Sequence, residues 1–98
     1  MLSHSQIIKL NKWAKNVNGR IVFRFKKYPY ALVLDGVIHA EDFEGKAVSW
    51  SQAFGPQVPS DVLLSYKLKE IEVRMPGKEL VFKTFKEFKE FFAKVLEA

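Results

Sequence analysis

Apolar residues recur at helical spacing near the start of the chain. Ser3, followed three residues later by Gln6, matches a capping box, the arrangement that begins many helices. At about 100° per residue, five apolar side chains then fall within an arc of about 140°. They are Ile7, Leu10, Trp13, Ala14 and Val17. This spacing predicts a helix over residues 5–17, and the pair Asn18–Gly19 after it is typical of a left-handed helix end.

A second helical pattern lies at the C-terminus. Thr84 and Glu87 match another capping box, and the residues after Thr84 place six apolar side chains on one arc. These are Phe85, Phe88, Phe91, Phe92, Val95 and Leu96. Lysine and glutamate fill most of the remaining positions. The pattern predicts an amphipathic helix whose phenylalanine stripe packs against the rest of the domain.

Between the two helical segments the apolar period changes from 3.6 residues to two. Over residues 20–26, Ile21, Phe23 and Phe25 point one way and the intervening residues point the other. Those intervening residues are Arg20, Val22, Arg24 and Lys26. The alternation predicts a half-buried strand with one apolar face and one mainly basic face.

A turn signal separates the next two apolar runs. Residues 31–34 and 37–40 flank Asp35–Gly36, and an Asp-Gly pair between apolar runs favours a β-hairpin. A single long strand with a bulge at the glycine would carry almost the same pattern. Apart from His39, both runs are apolar, so both look buried on two faces, which is typical of strands near the centre of a sheet.

A further hairpin is predicted closer to the C-terminus. Apolar and polar residues alternate up to Met75, the pattern stops at Pro76–Gly77, and it resumes at Leu80. Proline and glycine at these positions suit a type II turn between two strands.

The pattern weakens between residues 41 and 60, where glycine and proline interrupt it. We predict a short strand near 47–51 and a long loop after it. Over 61–68 apolar and polar residues alternate, which favours strand over helix, although Ser60 or Asp61 would also suit the cap of a short helix.

These elements define an α+β fold with two layers. The expected architecture is a mostly antiparallel sheet of about five or six strands, flanked by an N-terminal and a C-terminal amphipathic helix. A chain of 98 residues suits a single domain over 1–98. Its 48% hydrophobic content against 28% charged residues is typical of a globular protein rather than a disordered one.

Composition excludes several kinds of chemistry. The chain has no cysteine, which removes disulfides, cysteine-bound zinc, iron–sulfur clusters and thiol nucleophiles. Residues 1–10 do not resemble a secretory signal, and no apolar run is long enough to cross a bilayer, so we expect a cytoplasmic protein without a membrane partner. A charged set made mainly of lysine and glutamate, with only one threonine, is compatible with a hyperthermophilic source.

Charge is distributed unevenly along the chain. The first 34 residues carry seven basic residues and no acidic one, whereas the remaining 64 carry nine basic and eleven acidic residues, so the net charge of +5 divides into +7 and −2. Such a lopsided field attracts anions, including the phosphates of nucleic acids.

The basic residues separate into two sets by their place in the predicted elements. The lysines of the first helix and the arginines of the first strand would lie on opposite outer surfaces and would not form one patch. Only the strand set has aromatic residues beside it, namely Tyr28 and Tyr30 at the end of the strand. The candidate nucleic-acid-binding residues are Arg20, Arg24, Lys26, Lys27, Tyr28 and Tyr30. Alternatively, Glu70, Glu72 and Glu79 share the sheet face with the arginines and neutralise them. The sequence favours this second interpretation.

His39 is the one histidine close in sequence to several carboxylates, those of Glu41, Asp42 and Glu44. Too few ligands converge there for a metal site, so neither a metal, a cofactor nor a catalytic site is expected.

The segment after residue 49 contains a candidate partner-binding loop. Its residues are Trp50, Gln52 and Phe54. Loops on rigid scaffolds often carry binding residues. The aromatics of this loop could instead fold back and cover the open face of the sheet, which we favour because an isolated exposed tryptophan is uncommon.

Three functions are compatible with these features. The leading hypothesis is a small non-enzymatic binding or assembly module that acts through protein–protein contacts or self-association. A nucleic-acid-binding accessory protein that uses the basic N-terminal region is the alternative. An enzyme with a site at His39 and its neighbouring carboxylates is the least favoured.

Overall fold

A computed structural model describes all residues, 1–98. Along the chain the elements are α1 (His4–Asn16), β1 (Arg20–Phe25), β2 (Ala31–Leu34), β3 (Ile38–Glu41), β4 (Ala47–Val48), α2 (Trp50–Phe54), α3 (Pro59–Ser65), β5 (Leu68–Met75), β6 (Lys78–Phe82), α4 (Phe85–Phe91) and α5 (Ala93–Glu97). The strands form one antiparallel sheet in the order β4-β3-β2-β1-β5-β6. The predicted α+β class and six strands are confirmed.

The helices cover one face of this sheet. Ile21, Phe23 and Phe25 of β1 belong to the same buried cluster as Leu10 of α1 and Phe88 of α4. A separate small cluster on the opposite face contains only strand residues, namely Val22, Ala31 and Val33. We call this helix-free side, which also bears the charged side chains of β1 and β5, the open face.

Local signals predicted α1 and its ends correctly. The Ser3 hydroxyl accepts a hydrogen bond from the Gln6 N–H at 3.2 Å, and the Gln6 side chain accepts one from the Ser3 N–H at 3.0 Å. After the helix, Asn18 adopts a φ of 53°, the left-handed conformation that the Asn-Gly pair predicted.

Both predicted hairpins are present. Leu34 pairs with Ile38 across Asp35–Gly36, so the segment is a true hairpin rather than one long strand. Gly36 needs a φ of 105°, and its N–H donates to Asn11 Oδ1 at 2.9 Å, which ties the turn to α1. In the second hairpin, Gly77 has a φ of 76°, as a type II turn requires.

The middle of the chain differs from the prediction. The long loop expected after β4 is mostly helical, because Ser49 caps α2 through the Gln52 N–H and Pro59 occupies the first turn of α3. The strand favoured over 61–68 is wrong over 61–67, because α3 extends to Ser65 and β5 begins only at Leu68. The alternative of a short helix is correct, although its N-cap is Val58 rather than Ser60 or Asp61, and its adjacent residues Val62 and Leu63 are both buried. Helices of five and seven residues contain fewer than two full turns, too few for an amphipathic pattern to repeat in the sequence.

The predicted C-terminal helix is divided into two. Thr84 caps α4 by accepting a hydrogen bond from the Glu87 N–H at 3.2 Å, as expected. At Phe92 the backbone leaves helical geometry, with φ of −97° and ψ of 16°, and α5 begins at the next residue. Phe92 remains buried against Trp13, whose ring lies 4.7 Å away between centroids. None of the helices is long and apolar enough to span a membrane.

Candidate functional site

The open face has an apolar centre beneath charged side chains. Val22, Ala31 and Val33 are buried although no helix covers them. Val33 lies opposite His39 and Ala31 lies opposite Glu41 in the β2–β3 ladder, while Val22 lies opposite Glu72 in the β1–β5 ladder. The long polar side chains of His39, Glu41 and Glu72 therefore lie on both sides of this small apolar cluster and shield it from water.

Three ion pairs cross β1, β5 and β6 on the open face. Arg24 Nε contacts Glu72 Oε2 at 2.6 Å, Arg74 Nε contacts Glu79 Oε1 at 2.7 Å, and Lys83 Nζ contacts Glu70 Oε1 at 2.7 Å. The predicted sharing of this face by basic residues and the C-terminal glutamates is confirmed for Arg24. The bond to Glu72 raises the pKa of Arg24 against the opposing effect of partial burial.

Arg20 pairs with different carboxylates from those predicted. Its guanidinium donates to Glu41 and, at 3.4 Å, to Asp35 Oδ2. These residues belong to β3 and to the first hairpin turn, so Arg20 joins three neighbouring strands. Glu41 is the sole charged residue that is buried, with 5% of its surface exposed.

His39 completes this network, which we call the Arg20 cluster (Arg20, Asp35, His39 and Glu41). His39 Nε2 lies 2.8 Å from Glu41 Oε2, and Nδ1 lies 2.9 Å from the Val37 carbonyl oxygen. Both ring nitrogens face acceptors, which suits the protonated imidazolium.

The cluster shifts the pKa values of its members. Burial alone lowers the pKa of His39, but the hydrogen bonds to Val37 and Glu41 and the charge of Asp35 outweigh it, so the pKa is raised. Burial alone raises the pKa of Glu41, but the bonds from Arg20 and His39 outweigh it, so the pKa is lowered. In both residues the shift favours the charged form.

The same residues have the ligand types of a metal site. One ligand atom each from Asp35, His39 and Glu41 lies within 4.8 Å of the others. However, Arg20 already donates to both carboxylates, so their negative charge is compensated by a guanidinium. Binding a divalent cation there would require displacement of Arg20, and we interpret the cluster as a structural clamp on β1, β2 and β3.

We expect the Arg20 cluster to make stability depend on pH. Because the folded pKa of His39 lies above 6.5, its contribution is complete below that pH and is lost as the pH rises through the folded value. Because the folded pKa of Glu41 lies below 4.5, its contribution is complete above that pH and is lost on acidification. The cluster should therefore contribute most between these two values.

Urea unfolding measured from below pH 4.5 to above pH 6.5 would test the expectation. His39→Gln should weaken the loss of stability above pH 6.5, whereas His4→Gln, which changes an exposed histidine outside the Arg20 cluster, should leave it unchanged. Identical pH profiles for the parent chain and His39→Gln would contradict the assignment.

The remaining predicted nucleic-acid residues lie at the end of β1. Lys26 and Lys27 are exposed and have no carboxylate partner. Tyr28 packs on Tyr66 with centroids 4.3 Å apart and donates to the Ala53 carbonyl, and burial raises its pKa to about 12. Tyr30 is half-buried. Lys26 and Lys27 therefore differ from Arg20 and Arg24, whose charges are paired, whereas Tyr28 and Tyr30 line one depression together with Arg24.

The predicted partner-binding loop forms α2. Phe54 is buried against Phe25, Trp50 is half-buried and donates to the Gln57 carbonyl at 2.7 Å, and Gln52 is exposed. The aromatics cover the helix-bearing side of the sheet rather than the open face, because Phe25 points to that side. The expectation that they cover the open face is wrong.

Two exposed features were missed by the sequence reasoning. The first is the outer edge of β6 near Val81, and the second is Phe43, which is 75% exposed. The alternation of Glu79, Val81 and Lys83 was the available signal for the first. Nothing in the local pattern around Phe43 distinguished an exposed phenylalanine from a buried one.

Comparison with known proteins does not assign this site. No protein-family model, no curated protein and no solved structure matches the chain. The functional argument therefore rests on the geometry described above.

Proposed function

We propose that this chain is a small non-enzymatic assembly module that binds a second copy of itself through β6. Support comes from the sheet order, which leaves the outer side of the five-residue β6 without a paired strand. The opposite edge, β4, has only two residues. A free edge strand exposes backbone donors and acceptors that another strand can satisfy.

Apolar side chains flank this edge on both sides of the sheet. Val81 is 54% exposed on the open face, and Phe91 is 46% exposed on the helix-bearing side. The Phe91 ring packs 5.4 Å from the Phe82 ring between centroids, so it lies beside the edge. Adding a strand here would remove this apolar surface from water.

The side chains of β6 are complementary to themselves in one antiparallel register. Glu79 and Val81 of β6, and Lys83 directly after it, lie on the open face, since Val81 pairs with Glu72 and since Glu79 and Lys83 bond to Arg74 and Glu70 of that face. Pairing about a two-fold axis at Val81 places Glu79 opposite Lys83 of the second copy, and Lys83 opposite Glu79 of the second copy.

Neighbouring registers lose this match. Moving the axis to the adjacent Leu80 or Phe82 places one of the two charged residues opposite Val81 of the second copy. An axis between two residues would instead oppose side chains from different faces of the sheet. The axis at Val81 is therefore the preferred register.

The existing ion pairs extend across this interface. Lys83 and Glu79 have side chains that are each 67% exposed, so both can contact a second copy while retaining Glu70 and Arg74. The result is an alternating row of four charges across the two edges. On the other side of the strands, Leu80 would lie opposite Phe82 of the second copy.

A disulfide provides the direct test, because the natural chain has no cysteine. Residues directly opposite each other in an antiparallel pair have Cα atoms about 4.5–5.5 Å apart, within the range a disulfide spans. Val81→Cys should form a covalent dimer on mild oxidation. Val37→Cys, a 65% exposed control in the first hairpin turn, should not. Equal cross-linking of both variants, or of neither, would contradict the interface.

Charge reversal tests the register independently. Glu79→Lys opposes lysine to lysine in a homodimer, and Lys83→Glu opposes glutamate to glutamate, so each variant alone should sediment mainly as a monomer. Mixing the two variants restores both pairs and should recover a dimer. A mixture that remains monomeric, while the parent chain dimerises, would rule out this register.

A further inference from the structure

We infer a second binding site, for single-stranded nucleic acid, at the end of the sheet where β1 stops and β5 starts. Four lysines, which we call the basic end, gather there: Lys26, Lys27, Lys67 and Lys69. The Lys26 N–H donates to the Lys67 carbonyl at 2.8 Å, and this bond holds the two segments side by side. The site is separate from the β6 edge and does not depend on dimerisation.

A bulge brings Lys69 into this group. Arg24 pairs with Glu70, but the next residue, Phe25, pairs with Leu68, so Lys69 has no partner on β1. Leu68 packs with the core and Glu70 lies on the open face. The extra residue turns outward beside Arg24, where both line the same depression.

The lysines of the basic end form no ion pairs; Lys69 has only a longer-range attraction to Glu70, which is already paired with Lys83. All four lysines are exposed, and none has a carboxylate within salt-bridge distance. By contrast, Arg20, Arg24 and Arg74 of the open face are all paired. The basic end therefore retains the field that attracts phosphates, whereas the centre of the open face does not.

Aromatic surface lies beside Lys69 of the basic end. A depression of about 130 Å³ is lined by Arg24, Lys69, Tyr30 and Phe43, among others. Phe43 is 75% exposed and stacks on no other aromatic ring of the protein. Its ring is therefore free to stack on a base while the lysines contact the backbone, which is the common arrangement for single strands.

Two acidic residues flank Phe43. The Asp42 carboxylate accepts the N–H groups of Glu44 and Lys46 at 2.9 and 3.0 Å, so it is turned into its own loop. Glu44 is exposed and next to the ring in sequence, which leaves the four lysines in excess at this end. A duplex would hide its bases from Phe43, and this favours an unpaired strand.

Fluorescence anisotropy with a labelled short oligothymidylate would test the lysines. Lys67→Glu combined with Lys69→Glu should weaken binding by about tenfold or more and reduce its salt dependence. The matched control, Lys86→Glu combined with Lys94→Glu, makes the same charge change on exposed positions of α4 and α5 and should have a much smaller effect. Equal losses, or no binding by the parent chain at low salt, would overturn the proposal.

Phe43→Ala separates base stacking from attraction of any polyanion. We expect it to weaken oligothymidylate binding by about tenfold, within the range found for bases stacked on aromatic residues, and to leave heparin binding unchanged. Val37→Ala, which also truncates an exposed apolar side chain, should change neither. Unchanged oligothymidylate binding by Phe43→Ala would show a general polyanion surface and would contradict a nucleic-acid site.

Discussion

Glu41→Ala is expected to lower the free energy of unfolding by about 3 kcal/mol, because removing one member of a buried ion pair leaves the others uncompensated. Glu41 is 5% exposed and accepts bonds from Arg20 and His39. The expected value is at the lower end of the range for buried pairs, since Arg20 keeps Asp35 and some contact with solvent.

Chemical denaturation of this variant at fixed pH would measure the loss. Glu44→Ala, which removes an exposed carboxylate three residues later, is the control and should stay within about 0.5 kcal/mol of the parent chain. If Glu41→Ala were no less stable than Glu44→Ala, the Arg20 cluster would not clamp the strands together.

Phe88→Ala is expected to destabilise the fold by about 3–5 kcal/mol, the usual cost of truncating a buried phenylalanine. Phe88 is fully buried, with its ring 5.7 Å from Phe23 of the central strand and 4.8 Å from Phe92 between centroids. The truncation would leave a cavity between α4 and the sheet and remove three aromatic contacts, those with Phe23, Phe82 and Phe92.

Thermal and urea unfolding would compare this variant with Phe43→Ala. The control makes the same truncation at a side chain that is 75% exposed, so its stability should change by about 0.5 kcal/mol or less. Similar losses in the two variants would mean that Phe88 is not a central packing residue.

The two proposed sites use different parts of the same sheet. The β6 edge offers unpaired backbone and self-complementary side chains, whereas the basic end offers lysines without ion pairs, one of which, Lys69, lines a depression with Phe43. Between them, the ion pairs of the open face hold Arg20 and Arg24 in place. Under these two proposals, charge stabilises the centre of the sheet and binds partners at its margins.

Local chemistry was sufficient to predict much of the fold from the sequence. The cap at Ser3 and the apolar period after it determined α1, alternation determined β1, and the turns at Asp35–Gly36 and Pro76–Gly77 determined two hairpins. Each signal depends on residues close together in the chain. The prediction was wrong over 50–65, where two short helices are stabilised mainly by packing on the core.

One ion pair of the open face could also be predicted from the alternation of side chains along the strands. Arg24 and Glu72 were predicted to share a face, because side chains of a strand alternate strictly between its two sides. Arg20 was assigned to the wrong carboxylates. Its pairing with Asp35 and Glu41 depends on β3 lying two strands away, which no local pattern reveals.

The sequence by itself therefore determined the elements with strong periods or turns, and the face on which each strand residue lies. Only the tertiary structure decided which edge is free, which carboxylate meets Arg20, and that the bulge at Lys69 turns a fourth lysine outward. The physical reason is that strand order and register arise from contacts between residues far apart in the chain, whereas periods and caps arise from neighbours.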